Sequence, residues 1–306
     1  MINSKKTRLT MFAASMVAAA ALTGCFNDKS ADAAPGVTSF GNGVAQGAVV
    51  GAECVYTNNA GASLTPANEP VVTGEDGTAP VSIVGLSAAD FPIIIACTGG
   101  NYYDEALDTF VSNSGNTMES MIPSLDALAQ VGNSVGVNTL TDMATKLFKK
   151  VPAAERTGAA SLASFKEIIR VIAPGLGLNG GELNLLGAST PIKNGAPVLA
   201  DNAAGKLAVY LAGLANVAAS RPQPFSAADL TKELSLAVTN GTTIAPSVTA
   251  DILQKTKAYA TAKATAVTSV QSDNAGAGGT ASTPDSTGAT GGTGGTGGTG
   301  GSGGTV

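Results

Sequence analysis

The apolar residues of this chain change their spacing once, near Thr139, and that change restricts the fold more than any other feature. Before it the period is two. Val44, Ala48, Val50, Ala52, Cys54 and Tyr56 occupy even positions across residues 44–57, the pattern of one half-buried strand. Residues 70–84 set a Gly-Glu-Asp-Gly turn between two β-branched runs, which predicts a hairpin. Phe91 leads a continuous apolar strand that carries Cys97 and closes at Gly99 and Gly100; residues 101–113 and 117–125 read as further short strands. After Thr139 the period is helical. Thr139 to Asp142 form a capping-box pattern, and Leu140, Met143, Ala144 and Leu147 share one face. Leu162, Phe165, Ile168, Ile169 and Ile172 make a second apolar face, and Leu207, Tyr210, Leu211, Leu214 and Val217 a third. Ser226 and Asp229 cap another helix, and one after Pro246 runs to about residue 270.

Such stripes cannot be buried singly, so the helices are expected to pack as a bundle, with a long loop over residues 174–197. The expected class is therefore α+β. An antiparallel β-sandwich spans residues 37–135, a helical domain 136–272 and a Gly/Thr-rich tail 273–306. From Asn274 the chain is almost wholly Gly, Ala, Ser and Thr, ending in Gly-Gly-Thr triplets that can offset little ordering entropy by burial. The expectation is a disordered tail; the alternative is a three-fold glycine helix packed against copies of itself.

Charge breaks near the same place. Between Ser30 and Thr145 there are 12 acidic residues and no Lys, Arg or His, whereas residues 146–273 hold 13 basic against 8 acidic. This agrees with two domains of different character. The whole chain carries a net charge of −5. Phosphate binding needs clustered cations, so nucleic acid is not an expected partner.

At the N-terminus Lys5, Lys6 and Arg8 precede an uncharged apolar run, residues 9–22, which is the build of a secretory signal and too short to span a bilayer. It ends Leu22-Thr23-Gly24-Cys25, which resembles the lipobox of bacterial lipoproteins. The resemblance implies a signal peptide over residues 1–24, with Cys25 as the acylated first residue of the mature chain and residues 25–36 as a tether. Phe26 follows it, and Asp28 stands one place beyond the position that retains many such proteins at the inner membrane, so delivery to the outer membrane is expected. Two or three acyl chains make this membrane contact effectively permanent. In an exported chain the remaining pair, Cys54 and Cys97, is expected to form a disulfide.

Residues 47–107 resemble the small seven-stranded sandwich of carboxypeptidase-regulatory-like and transthyretin-like modules. The likeness rests on the strand GAVVGAECVY, the phrase TGEDGTAPVSI and the stretch TGGNYYDEA. The following NTLTDMATKLF is similar to the helix start that succeeds such modules in bacterial surface lipoproteins, with Asn138 and Thr139 in place of the usual Thr-Pro. The resemblance implies a binding or structural module.

Catalytic readings find little support. The chain has no histidine, so Ser-His-Asp and Cys-His arrangements are impossible, and no Ser-x-x-Lys occurs. Gly175, Gly177 and Gly180 spell G-x-G-x-x-G, but after a helix rather than a strand, and read as loop punctuation. No enzyme is expected. Acids at Glu75 and Asp76, and at Asp104, Glu105 and Asp108, read first as solvated loops; the second group, beside Tyr102 and Tyr103, is also a candidate contact or calcium loop. The expected role is structural or adhesive interaction at the bacterial surface, with a protein partner or a second copy. The alternatives are a subunit of a self-assembling fibre and a ligand-binding lipoprotein.

Overall fold

The computed structural model describes residues 36–104, 106–107, 109–172, 185–189, 199–222, 224–262 and 281–283, all within one compact unit. The class is α+β, with sheets in the N-terminal part and helices after them. β1 (Val37–Ala45) is the centre of a three-stranded sheet, antiparallel to β5 (Thr78–Val84) and parallel to β10 (Ser134–Asn138). A four-stranded antiparallel sheet runs in the order β4 (Val71–Val72), β3 (Glu53–Thr57), β6 (Ile93–Thr98), β9 (Thr117–Ile122). A smaller sheet joins β2 (Val49–Val50), β7 (Asn101–Asp104) and β8 (Thr109–Ser112).

Alternation turns Ala79, Val81 and Ile83 of β5, and Cys54 and Tyr56 of β3, into the core. The Phe40 ring of β1 meets Tyr56 edge-to-face with centroids 6.1 Å apart, and Asn42 donates to the Tyr56 hydroxyl. These contacts join the three-stranded and the four-stranded sheet in one core. Burial pushes the Tyr56 phenol well above its ordinary value, against the Asn42 hydrogen bond.

Three strand expectations change. The sheets are not wholly antiparallel as expected, because β10, which follows the β-rich part and enters α2, runs parallel to β1. The strand read over residues 44–57 is divided into the end of β1, β2 and β3, although Ala52, Cys54 and Tyr56 keep the period of two. Residues 74–78 do form a tight turn, with Gly74 donating to the Thr78 carbonyl at 2.8 Å. No hairpin results, because β4 pairs with β3 while β5 pairs with β1, and the chain changes sheets at the turn. Gly77 sits there at φ 74°, and a Cβ would lie 2.8 Å from the Val44 carbonyl oxygen, so the turn nests against the bend after β1.

The α-helices of the described residues are α1 (Leu125–Gln130), α2 (Thr139–Phe148), α3 (Gly158–Val171), α4 (Ala203–Ala219), α5 (Ala227–Thr239) and α6 (Pro246–Ala262). Ser226 and Asp229 cap α5 as the sequence suggests. At α2 the box stands one residue earlier than expected. Asn138 is the cap, its side chain accepting from Leu140 and Thr141, and Thr141 accepts back from the Asn138 N–H. This frees Asp142 from capping.

α4 is buried on every side, which its Ala and Leu content permits. α6 crosses it so closely at Gly213 that a Cβ there would lie 2.0 Å from Thr256 Oγ1. Within the 174–197 loop, Leu185 and Leu186 are buried and Gly187 bridges Val135 of β10. The tail also departs from its expectation at one point. Ala281 is buried, and Glu167 of α3, held by Arg170, accepts both the N–H and the hydroxyl of Ser282 at 2.7 and 3.1 Å. The Gly-Gly-Thr triplets lie outside the described residues, as do residues 263–270.

Candidate functional site

Cys54 and Cys97 are directly opposed partners on β3 and β6, buried in the core, and they form a disulfide with an S–S distance of 2.02 Å. Cys25 lies outside the described residues, and so do Glu105 and Asp108 of the acidic loop.

The rest of that loop is not a solvated surface. Tyr102, Tyr103 and Asp104 are only 0%, 7% and 1% exposed, because β7 is the central strand of its sheet, flanked by β2 and β8. Tyr102 belongs to the main core, and Tyr103 packs edge-to-face on Phe110 with centroids 5.7 Å apart. Asp104 Oδ1 accepts the N–H groups of Ala106 and Leu107, each at 3.0 Å, which closes the β7–β8 turn. Burial raises its carboxyl above the usual range, against those two bonds. Asp76 is likewise occupied by the Thr78 N–H and hydroxyl. Among the described residues no group of three acids or cysteines is placed to hold a metal ion.

Polar chemistry gathers instead where α2 meets β9 and α5. Asp142 is fully buried, and three donors converge on it. Oδ1 accepts the Glu119 N–H at 3.0 Å; Oδ2 accepts Lys146 Nζ at 2.7 Å and Ser235 Oγ at 2.6 Å. Desolvation pushes its carboxyl above the usual aspartate range, while Lys146 and the hydrogen bonds pull it back. One helical turn away, Thr231 of α5 joins Thr139 of α2 at 2.8 Å and accepts Gln46 Nε2 at 2.9 Å. Beside these groups opens a cleft of about 240 Å³, lined by Gln46, Asn116, Asp142, Lys146, Thr231 and Lys232 among others.

No family, curated protein or solved structure matches the chain.

A second, wider cleft of about 570 Å³ lies at the other end of α2, lined by Asn58, Asn59, Ile94, Phe148, Lys149 and Arg156 among others. Its cations are largely committed. Arg156 donates to the Val151 and Lys149 carbonyls while lying over the Phe148 ring, and Lys149 pairs with Glu119. Little in the sequence points to the narrower cleft, since Gln46 and Asp142 stand 96 residues apart and are joined through Thr231 and Ser235 of α5. The spacing of Asp142 and Lys146 by four was the one visible sign.

Proposed function

We propose that this chain is an exported envelope protein, lipid-anchored through Cys25, whose α+β unit serves structural or adhesive interaction at the bacterial surface. The observation that carries the reading is the Cys54–Cys97 disulfide. Such bonds persist in oxidising compartments, and this one leaves Cys25 as the single unpaired cysteine of the chain. A lipid thioether at Cys25 accounts for that odd sulfur. The finer reading of the strands as a sandwich is supported by the edge-to-face contact of Phe40 in the three-stranded sheet with Tyr56 in the four-stranded one.

Contact with a partner falls to side chains that remain outside. On the β7–β8 hairpin these are Leu107 and Phe110, the latter 66% exposed, rather than the tyrosines beside them. The test is cell fractionation of Cys25→Ser. The wild-type chain is expected in the membrane pellet and the variant in the soluble fraction. A variant retained in the pellet at wild-type level would remove the anchor, and with it the envelope role.

A further inference from the structure

We infer that β8 is a self-pairing edge whose partner is β8 of a second copy of this chain. The other sheet edges of the described residues are closed or very short. On β9, Asp142 and Thr141 of α2 take both backbone groups of Glu119. Beside β10, Ala188 donates to the Ser134 carbonyl at 3.1 Å. On β5, the Ser82 carbonyl accepts from Ala67 at 2.7 Å and its N–H donates to the Asn68 side chain at 3.2 Å. On β2, the Val49 carbonyl accepts the Thr73 hydroxyl at 2.7 Å, and β4 has only two residues. β8 has a strand on one side only. Edges that must stay single are guarded by charge, proline or a bulge, and Thr109, Phe110, Val111 and Ser112 supply neither charge nor proline.

The register decides the occupant. Asn113 donates to the Gly100 carbonyl at 2.9 Å, which fixes the alternation of the β7–β8 ladder. Counting back by two, Val111 and Thr109 turn their backbone groups to Tyr102 and Asp104, while Phe110 and Ser112 turn theirs away from β7. No described residue hydrogen-bonds those outward groups. An antiparallel second β8 centred on Val111 sets Phe110 against the partner's Ser112, and Ser112 against the partner's Phe110. These are the residues with outward groups, and each such pair exchanges both of its N–H···O bonds. Val111, whose groups are used by β7, meets the partner's Val111 at a position that needs no hydrogen bond. Phe110, 66% exposed, and the partner's Phe110 fall diagonally across the pair on one face, about 7–8 Å apart and within reach of aromatic rings. No charged side chain of β8 meets its like. The strand is complementary to itself, which selects a second copy over an unrelated strand. Because the contact is two-fold, it closes at a dimer and does not propagate into a fibre.

The inference rests on the reading of the β7–β8 hairpin as a contact surface, and not on the lipid anchor. Two four-residue strands make a small interface, so the dimer is weak and forms with rising concentration; copies held in one membrane gain local concentration. The test is disulfide trapping in the purified full chain carrying Cys25→Ser, which leaves no thiol outside the Cys54–Cys97 bond. Val111→Cys places two thiols at the two-fold axis, where Cα atoms about 4.5 Å apart suit a disulfide. Under mild oxidation this variant is expected to form covalent dimers at least about tenfold faster than Val55→Cys, although Val55 is 53% exposed and Val111 is partly buried. Adding Phe110→Lys, an exposed change expected to leave the melting temperature as it was, should remove that advantage by charging both halves of the edge. Sedimentation of the chain with Cys25→Ser alone should show a monomer passing reversibly to a dimer as concentration rises. The proposal is overturned if Val111→Cys is trapped no faster than Val55→Cys, if Phe110→Lys leaves trapping unchanged, or if sedimentation shows only monomer or an open series of larger species. Because the chain used has no anchor, none of these outcomes bears on the fractionation test of Cys25.

Discussion

The carboxylate of Asp142 accepts the backbone N–H of Glu119 at 3.0 Å, so a helix side chain stands where a further strand would hydrogen-bond. β9 is the last strand of its sheet, and Thr141 donates to the Glu119 carbonyl at 3.1 Å. Both backbone groups of an edge residue are thus taken by α2. Edge strands left open invite pairing with other chains, and here the helix closes the edge. The same carboxylate holds α5 through Ser235, so one residue joins a sheet and two helices.

Removing that acceptor is expected to be expensive. Asp142→Ala leaves the Lys146 ammonium, the Ser235 hydroxyl and the Glu119 N–H without their partner, and breaking a buried pair costs about 3–5 kcal/mol. Asp142→Asn keeps an oxygen for Glu119 and should cost less. Urea unfolding of both variants checks the order; a loss under about 1 kcal/mol for the alanine variant would show that the network is not holding the elements together.

Its titration has a definite sign. The folded carboxyl is raised, so between the ordinary aspartate pKa, near 4, and the folded value the native chain binds more protons than the unfolded one. This group's contribution to stability therefore falls as pH rises through that window. The stability advantage of wild type over Asp142→Asn is expected to shrink from about pH 4 upward, as measured by unfolding at several pH values. An advantage that grows with pH would mean that Lys146 and the hydrogen bonds outweigh burial.

The strands around the disulfide were legible because burial there follows a simple alternation, Ala52, Cys54 and Tyr56 in and Glu53 and Val55 out. The hairpin over residues 70–84 was misread because turn chemistry specifies a bend and not the partner strand; β5 found β1, more than thirty residues back. Tyr102 and Tyr103 fall in residues 101–113, which read as short strands and fold as β7 and β8; the acids after them suggested an exposed contact site, and only the flanking of β7 on both sides buries them. Asp142 was hidden for a different reason. A capping box fits Thr139 to Asp142 as well as Asn138 to Thr141, and a shift of one residue turns the carboxylate from a helix end into the core.

Reduction of the disulfide is expected to destabilise the unit by about 4 kcal/mol, since the bond closes a separation of 43 residues. For a unit of this size that corresponds to roughly 8–16 °C in melting temperature. Cys54→Ala/Cys97→Ala, melted beside the oxidised and reduced wild type, separates the loss of the bond from the effect of free thiols. A reduced protein that melts with the oxidised one would contradict the estimate.

At the α4–α6 crossing two effects compete in Gly213→Ala. Helix propensity favours alanine by about 1 kcal/mol. The added Cβ, however, would lie 2.0 Å from Thr256 Oγ1 and 2.9 Å from Thr256 Cα, and overpacking of this kind costs about 1–3 kcal/mol. Because a backbone atom is among those struck, the clash is expected to win and the variant to melt lower. A higher melting temperature would mean that α6 can move away from α4 at little cost.

The anchored, exported state underlies the whole functional account, and the mass of the N-terminal peptide of the mature protein tests it most directly. Protein extracted from membranes with detergent is expected to begin at Cys25, with a mass increase that matches a diacylglyceryl thioether and, where present, an amide-linked acyl chain. A mature chain that begins elsewhere, or a Cys25 that carries a free thiol, would contradict the account.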